Sequence, residues 1–182
     1  MAQIAIIGAG SVMFTRQICS ALLSYPALAG STITLMDIRP DVLGRCGQLV
    51  AKMVEQANLP VAVKMTTDQR QALQNADFVI NAIQVGGLKP WQLDMDIPAK
   101  YGVIQEVGDT MGPGGIFRAL RHIPPMLSIL KDMEQVCPNA LFINYANPLA
   151  PLTWAAKEFS QITTVGLCYG VRYTVSQLAG YL

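Results

Sequence analysis

"IAIIGAGSVMF", residues 4–14, is the stretch on which the reading of the fold turns. Ile4 to Ile7 form an unbroken apolar run, the pattern of a strand buried on both faces, and Gly8-Ala9-Gly10 ends it abruptly. A helix start follows at Ser11. Strand, glycine turn and helix in that order open a dinucleotide-binding unit. Gly8 permits the tight turn, Gly10 lets the backbone approach a pyrophosphate, and the unpaired amides from Ser11 onward favour an anion. The third position of the pattern holds Met13 rather than glycine or alanine, so the helix is expected to sit slightly farther from the strand. Read without a ligand, the same glycines are plain punctuation between two elements.

Outward from this turn, strand-like segments recur at 32–37 (TITLMD), 61–67 (VAVKMTT), 78–84 (FVINAIQ), 141–146 (LFINYA) and 163–168 (TTVGLC). All read as short, mostly buried strands. Val42, Leu43, Cys46, Leu49, Val50, Met53, Val54 and Ala57 recur at helical spacing behind a start signal at Pro40 and Asp41. Buried strands alternating with amphipathic helices predict an α/β fold of Rossmann type: a doubly wound, mostly parallel sheet with helices on both faces. Pro124 and Pro125 interrupt a helix that starts near Ile116, and the apolar pattern resumes at Met126, Leu127, Leu130 and Met133. A kink is expected there rather than a break.

Asp37 adds weight to the dinucleotide reading. It ends the second strand, 27 residues after Gly10, where an acid hydrogen-bonds the adenosine ribose hydroxyls and repels a 2′-phosphate. The usual interval is about 20 residues, and "YPALAGS" at 25–31 reads as the loop insertion that lengthens it. NAD is the expected cofactor, with Arg39 the one neighbour that points toward NADP.

Composition narrows the partners. With 14% charged residues, interspersed in sign, and a formal net charge of +1, there is no electrostatic case for nucleic acid or an anionic membrane. Apolar runs are too short to span a bilayer and the N-terminus has no basic flank or cleavage site, so a cytoplasmic location is expected. Cys19, Cys46, Cys137 and Cys168 form no CxxC pair, which suits a reducing compartment. The first three lie in apolar helical contexts as buried spectators. His122 is the only histidine, so no triad can use another imidazole, and its place beside Leu120 and Ile123 suits packing or capping.

Ligands of such sheets lie beyond the carboxyl ends of the strands. "QVGG" (84–87), "NYANP" (144–148) and "CYGVRYT" (168–174) fall at those ends and, with the opening turn, would ring one pocket beside the nicotinamide. "GDTMGPGGIFRALR" (108–121) packs Asp109, Thr110 and four glycines before an apolar helix. Its simplest reading is a tight turn whose Asp109 and Thr110 cap that helix.

Taken together, "IGAGS" (7–11), "NADF" (75–78), "GDTMGPGGIFRALRHIP" (108–124), "NYANP" and "VGLC" (165–168) resemble glycoside hydrolase family 4, most closely its α-galactosidase and α-galacturonidase branch. The resemblance runs from about residue 3 to the end of the chain. It implies a glycosidase for α-galactoside-type bonds that departs from the usual pair of carboxylates. NAD takes hydride from sugar carbon 3, the proton on carbon 2 becomes acidic and is removed, and the glycosidic oxygen leaves by elimination. Water then adds and the hydride returns. A divalent ion, Mn²⁺ in this family, chelates the sugar's 2- and 3-hydroxyls as a Lewis acid.

The site residues implied by the resemblance follow. Cys168 is a metal ligand, its thiolate favoured at a helix start, although a buried cysteine at a strand end reads the same. Asn147 contacts sugar hydroxyls, or with Pro148 simply stops a loop. Asp109 and Thr110 press against the substrate ring, and Arg118 anchors the loop or a substrate acid group. Gly8, Gly10, Ser11, Asp37 and Asn144 bind the cofactor. Tyr169 stands where the branch carries histidine, at a position linked to acid assistance, and a phenol is a weaker acid than a carboxylic group. Arg172 and Tyr173 would tune recognition toward an acidic sugar. Residues 1–150 are expected to form the NAD-binding domain and 151–182 the start of a catalytic domain whose second metal ligand and tyrosine base come from a later part of the family's chain. The expected partner is a small glycoside, in a homo-oligomer, with no nucleic acid and no membrane. An α-galacturonidase, a lactate- or malate-dehydrogenase-like oxidoreductase and an NAD-binding fragment without catalysis stay open as alternatives.

Overall fold

The computed structural model describes residues 1–181; the side chains of Tyr169, Val171 and Arg172 lie outside the described part. Six strands, β1 (Gln3–Ile7), β2 (Thr32–Met36), β3 (Ala62–Thr66), β4 (Phe78–Asn81), β5 (Leu141–Asn144) and β6 (Thr164–Gly166), form one sheet in the order β3-β2-β1-β4-β5-β6. Every pairing is parallel. Helices α1 (Val12–Leu23), α2 (Pro40–Ala57), α3 (Gln69–Leu73), α4 (Leu88–Ala99), α5 (Gly112–Val136) and α6 (Leu149–Phe159) connect them, and α7 (Tyr169–Ala179) follows β6. This is the doubly wound order, whose strand sequence reverses between β1 and β4, and the crevice at that reversal is where such sheets take ligands.

Residue alternation along β1 shows why both faces must be covered. Ile4 and Ile6 face one core with Ile33, Leu35, Leu43 and Val50, against α1 and α2. Ala5 and Ile7 face the other, with Val79, Phe142, Met126, Ile129, Leu130 and Leu152, against α3, α5 and α6. A period of two puts successive side chains on opposite faces, so an all-apolar strand can be stable only between two layers. Each fully buried Ile or Leu contributes roughly 2 kcal/mol. On α2 the buried residues Val42, Leu43, Cys46, Gly47 and Val50 keep helical spacing, with Pro40 at the start and Asn58 left-handed at the end.

Several expectations need correction. β3 is largely exposed rather than buried, because it is an edge strand paired only with β2; the charged Lys64 suits such an edge. α5 starts at Gly112, not near Ile116, and runs through Pro124 and Pro125 as one helix. Met13 is 66% exposed and does not sit between α1 and the sheet; the buried residues of α1 are Thr15 and Cys19. A boundary at residue 150 would cut α6, and the sheet continues past it. β6 pairs with β5, and Leu152, Ala155 and Ala156 of α6 pack into the same core as Phe142. The 25–31 insertion forms a single 3-10 turn at Pro26–Leu28.

α4 had no counterpart in the sequence reading. Its buried face centres on Asp94, while Leu88 is 77% exposed and Leu93 and Ile97 also face outward. Apolar periodicity cannot reveal a helix that buries its acid and exposes its leucines.

Candidate active site

The opening turn brings β1, β2 and α1 together. The amides of Gly8 and Ala9 both donate to the Met36 carbonyl at 2.9 Å, and the Thr15 hydroxyl donates to the Ala9 carbonyl at 2.8 Å. Ser11 is the N-cap residue of α1 and makes no side-chain cap, so the first helical amides keep their capacity for an anion. Asp37, just past β2, accepts the Gly10 amide at 2.8 Å through Oδ2 and the Arg39 amide at 3.0 Å through Oδ1. Each carboxylate oxygen keeps a second lone pair for a ribose hydroxyl. A Cβ on Gly10 would lie 2.5 Å from that Oδ2 and 2.7 Å from Val42 Cγ2. Glycine is therefore required here first for the turn to close on Asp37 and α2.

Across the crevice, the ends of β4, β5 and α5 converge. Asn147 Nδ2 donates to Asp109 Oδ2 at 3.1 Å, and the Thr110 hydroxyl donates to Asp109 Oδ1 at 3.0 Å. Arg118, only 6% exposed, donates from Nε to the Asn147 carbonyl at 3.1 Å and from Nη2 to Gln84 Oε1 at 2.5 Å. Burial lowers its pKa from the ordinary arginine value, opposed by nearby Asp109. Arg118 thus ties the 84–87 and 144–148 loops together. The Asn147–Pro148 peptide is cis. Ser11, Phe14, Gln84, Trp91, Asp109, Arg118, Tyr145 and Asn147 line one cavity of about 480 Å³ that joins the two halves.

The glycine-rich segment has a different role from the one expected. Asp109 and Thr110 do not cap α5; its N-cap residue is Met111, and Gln105 serves the helix start by accepting the Gly114 amide at 3.1 Å and donating to the Met111 carbonyl at 2.9 Å. A Cβ on Gly114 would meet the Gly108 and Asp94 carbonyls at 2.5 and 2.7 Å. The bare backbone admits the protein's own loop and α4, and Asp109 is presented to the cavity as a result.

Asn144, expected at the cofactor, is fully buried. Its Oδ1 accepts Asn81 Nδ2 at 2.9 Å and the Ala146 amide at 3.1 Å, and its Nδ2 donates to the Ala146 carbonyl at 3.1 Å. It shapes the loop that carries Asn147 and does not face the cavity. The reason is register: Asn144 sits opposite Asn81 on the ladder, so each finds its partner in the neighbouring strand.

His122 is fully buried, its Nε2 accepting the Val85 amide at 3.1 Å and its Nδ1–H donating to the Arg118 carbonyl at 2.9 Å. Burial pushes its pKa down from 6.5 to about 4, the Arg118 carbonyl hydrogen bond working against that and the Arg118 and Arg121 charges with it. Both nitrogens are engaged, so it packs rather than relays protons. Arg121 pairs with Asp94 of α4 through both terminal guanidinium nitrogens, Nη1 to Oδ1 at 3.1 Å.

Cys168 is exposed at the N-cap position of α7, beyond the end of β6. Tyr169, expected at the acid position, has a side chain outside the described part. Among the described residues no three His, Cys, Asp or Glu side chains come together as a metal-binding group. Cys168 can supply one soft donor, and the described residues do not complete a metal site around it. The other cysteines are buried; desolvation raises Cys19 to about 12 and Cys137 to about 11, which makes them inert thiols. Gln84, Trp91 and Asp94 escaped sequence reasoning as individual residues, for Trp91 and Asp94 because α4 was not visible in the pattern.

The family model for family 4 glycosyl hydrolases matches residues 3–182. The chain belongs to glycosyl hydrolase family 4. It is 44% identical over 181 residues to an α-galactosidase of Rhizobium meliloti (strain 1021), covering 99% of this chain and 37% of that protein. An α-galactosidase of Bacillus subtilis (strain 168) is also 44% identical, over 98% of this chain and 41% of that protein. The chain thus spans about two fifths of the length of these family 4 relatives. Among solved structures, a 6-phospho-β-glucosidase from Thermotoga maritima with manganese, NAD⁺ and glucose-6-phosphate superposes with a TM-score of 0.89 at 27% identity, over 100% of this chain and 43% of that one.

Proposed function

We propose that this family 4 chain is the nucleotide-binding portion of an NAD- and Mn²⁺-dependent glycosidase for α-galactoside-type bonds. The observation that carries it is convergence: Ser11 at the end of the glycine turn and the Asp109–Asn147–Arg118 cluster line one cavity, and Asp37 is tied to that same turn through the Gly10 amide. The turn and the start of α1 hold a pyrophosphate, and Asp37 holds the adenosine ribose. NAD, when bound there, supplies reversible two-electron oxidation of a sugar carbon. Asn147 and Asp109 offer a coupled donor and acceptor to a polyol, which an amide beside a carboxylate does well. Among the described residues lining the cavity, Arg118 is the one cation. Its guanidinium is committed to Gln84 and Asn147, which supports an uncharged sugar over a phosphorylated or acidic one. Manganese is proposed on Cys168 and the Thermotoga relative, and no step is assigned to it.

A dehydrogenase reading is not favoured: the relatives matched at 44% identity are α-galactosidases, and His122, buried with both nitrogens engaged, is not a proton relay. Three buried free thiols support a cytoplasmic setting. No helix among the described residues is long and apolar enough to cross a membrane.

The test is hydrolysis of aryl α-galactoside and α-galacturonide by the whole glycosidase of which this chain is proposed to be a portion, with NAD, Mn²⁺ and reductant added singly and together. Cleavage of the galactoside only when NAD is present is expected; cleavage indifferent to NAD refutes the mechanism. NAD uptake is followed separately by quenching of Trp91, which lines the cavity, in a Trp154→Phe background.

A further inference from the structure

The Val85 peptide lies just past β4, next to the cavity, and α5 side chains hold both of its polar groups. Its amide donates to His122 Nε2 at 3.1 Å, and its carbonyl accepts from Arg121 Nε at 3.3 Å. Its neighbour Gln84 accepts from Arg118 Nη2 and donates from Nε2 to the Gly87 carbonyl at 3.4 Å. Gln84 and Gly87 line the cavity. Residues 118, 121 and 122 lie within one turn of α5 and grip the 84–87 loop from behind. Arg121 is itself fixed by Asp94. Its Nδ1–H is satisfied within α5 by the Arg118 carbonyl and its Nε2 by the Val85 amide, so the His122 ring couples the helix directly to the loop.

We propose that His122 is a positioning residue of the cavity: its unprotonated Nε2 accepts the Val85 amide and thereby holds Gln84 and Gly87 at the wall where a sugar binds. The inference rests on the proposed reading of this cavity as a sugar site. Glutamine can replace the acceptor, since its Oε1 reaches about as far as Nε2, whereas leucine leaves a buried amide without a partner. The phosphate turn is held by β1, β2 and Asp37, so the hold on the cofactor's pyrophosphate and adenosine ribose does not depend on the ring.

The experiment compares wild type, His122→Gln and His122→Leu by hydrogen exchange of the Val85 amide and by affinity for NAD and for an aryl α-galactoside. Wild type and His122→Gln are expected to protect Val85 and bind the galactoside alike. His122→Leu is expected to lose that protection and bind the galactoside about tenfold more weakly, with NAD affinity unchanged. Equal galactoside affinity in all three, or a glutamine variant as weak as leucine, overturns the proposal. If His122→Leu does not fold, the glutamine variant and the ring itself decide. His122 is the only histidine, so one ¹⁵N ring spectrum shows whether Nε2 is bare at neutral pH, and a protonated Nε2 overturns the proposal. Wild type that binds NAD but no galactoside sinks the sugar reading, and the hold on the loop then stands or falls on the Val85 amide.

Discussion

Lowering the pH should unfold this protein partly through one residue. His122 has a native pKa of about 4 against an ordinary 6.5, so between those values the unfolded chain binds a proton that the native ring refuses. Stability from the neutral ring is complete above about pH 6.5, declines as pH falls, and is exhausted below about pH 4. The gap corresponds to at most roughly 3 kcal/mol. The groups facing it are Arg118 and Arg121 from its own helix, both opposing the charge, and Asp94 from α4, favouring it. Urea unfolding of wild type and His122→Gln at about pH 7 and about pH 4.5 isolates the effect, since carboxylates titrate equally in both. Wild type should lose about 2.5 kcal/mol more than the glutamine variant across that interval. Parallel losses in the two proteins would refute the reasoning and mean that the ring is accessible to protons in the native state.

Gly8→Ala places a Cβ 2.7 Å from the Ala82 carbonyl group at a φ of +86°, so it should cost more than about 1 kcal/mol in a thermal melt and abolish NAD uptake. Asp37→Ala removes the acceptor for Gly10 and the ribose; NAD titration should show about a tenfold loss or more, with galactoside binding in the absence of NAD unchanged. Asp94→Asn leaves Arg121 unpaired against α4 and should cost roughly 3 kcal/mol in urea; an unchanged midpoint would show that the pair contributes nothing.

Some of this protein was legible in its sequence because it is encoded locally. The run from Ile4 to Ile7 could only be a strand between two layers, and Gly8-Ala9-Gly10 followed by a helix, with Asp37 at the next strand end, located the nucleotide turn without any long-range information. Residue type and spacing suffice where one element's own geometry dictates the choice. The other half of the site was set by packing between distant segments. Asn144 and Asn147 belong to one short motif, yet register against Asn81 turns the first into the interior and leaves the second at the cavity. The glycines at 114 and 115 read as part of a tight turn, and only the fold shows that the space beside them is filled by the backbone of the preceding loop and α4. α4 escaped notice because its buried side is an aspartate, matched by an arginine 27 residues away. Hydrophobic pattern reports what a residue gains by leaving water. Which polar group it meets there is decided only when the chain brings the partner to it.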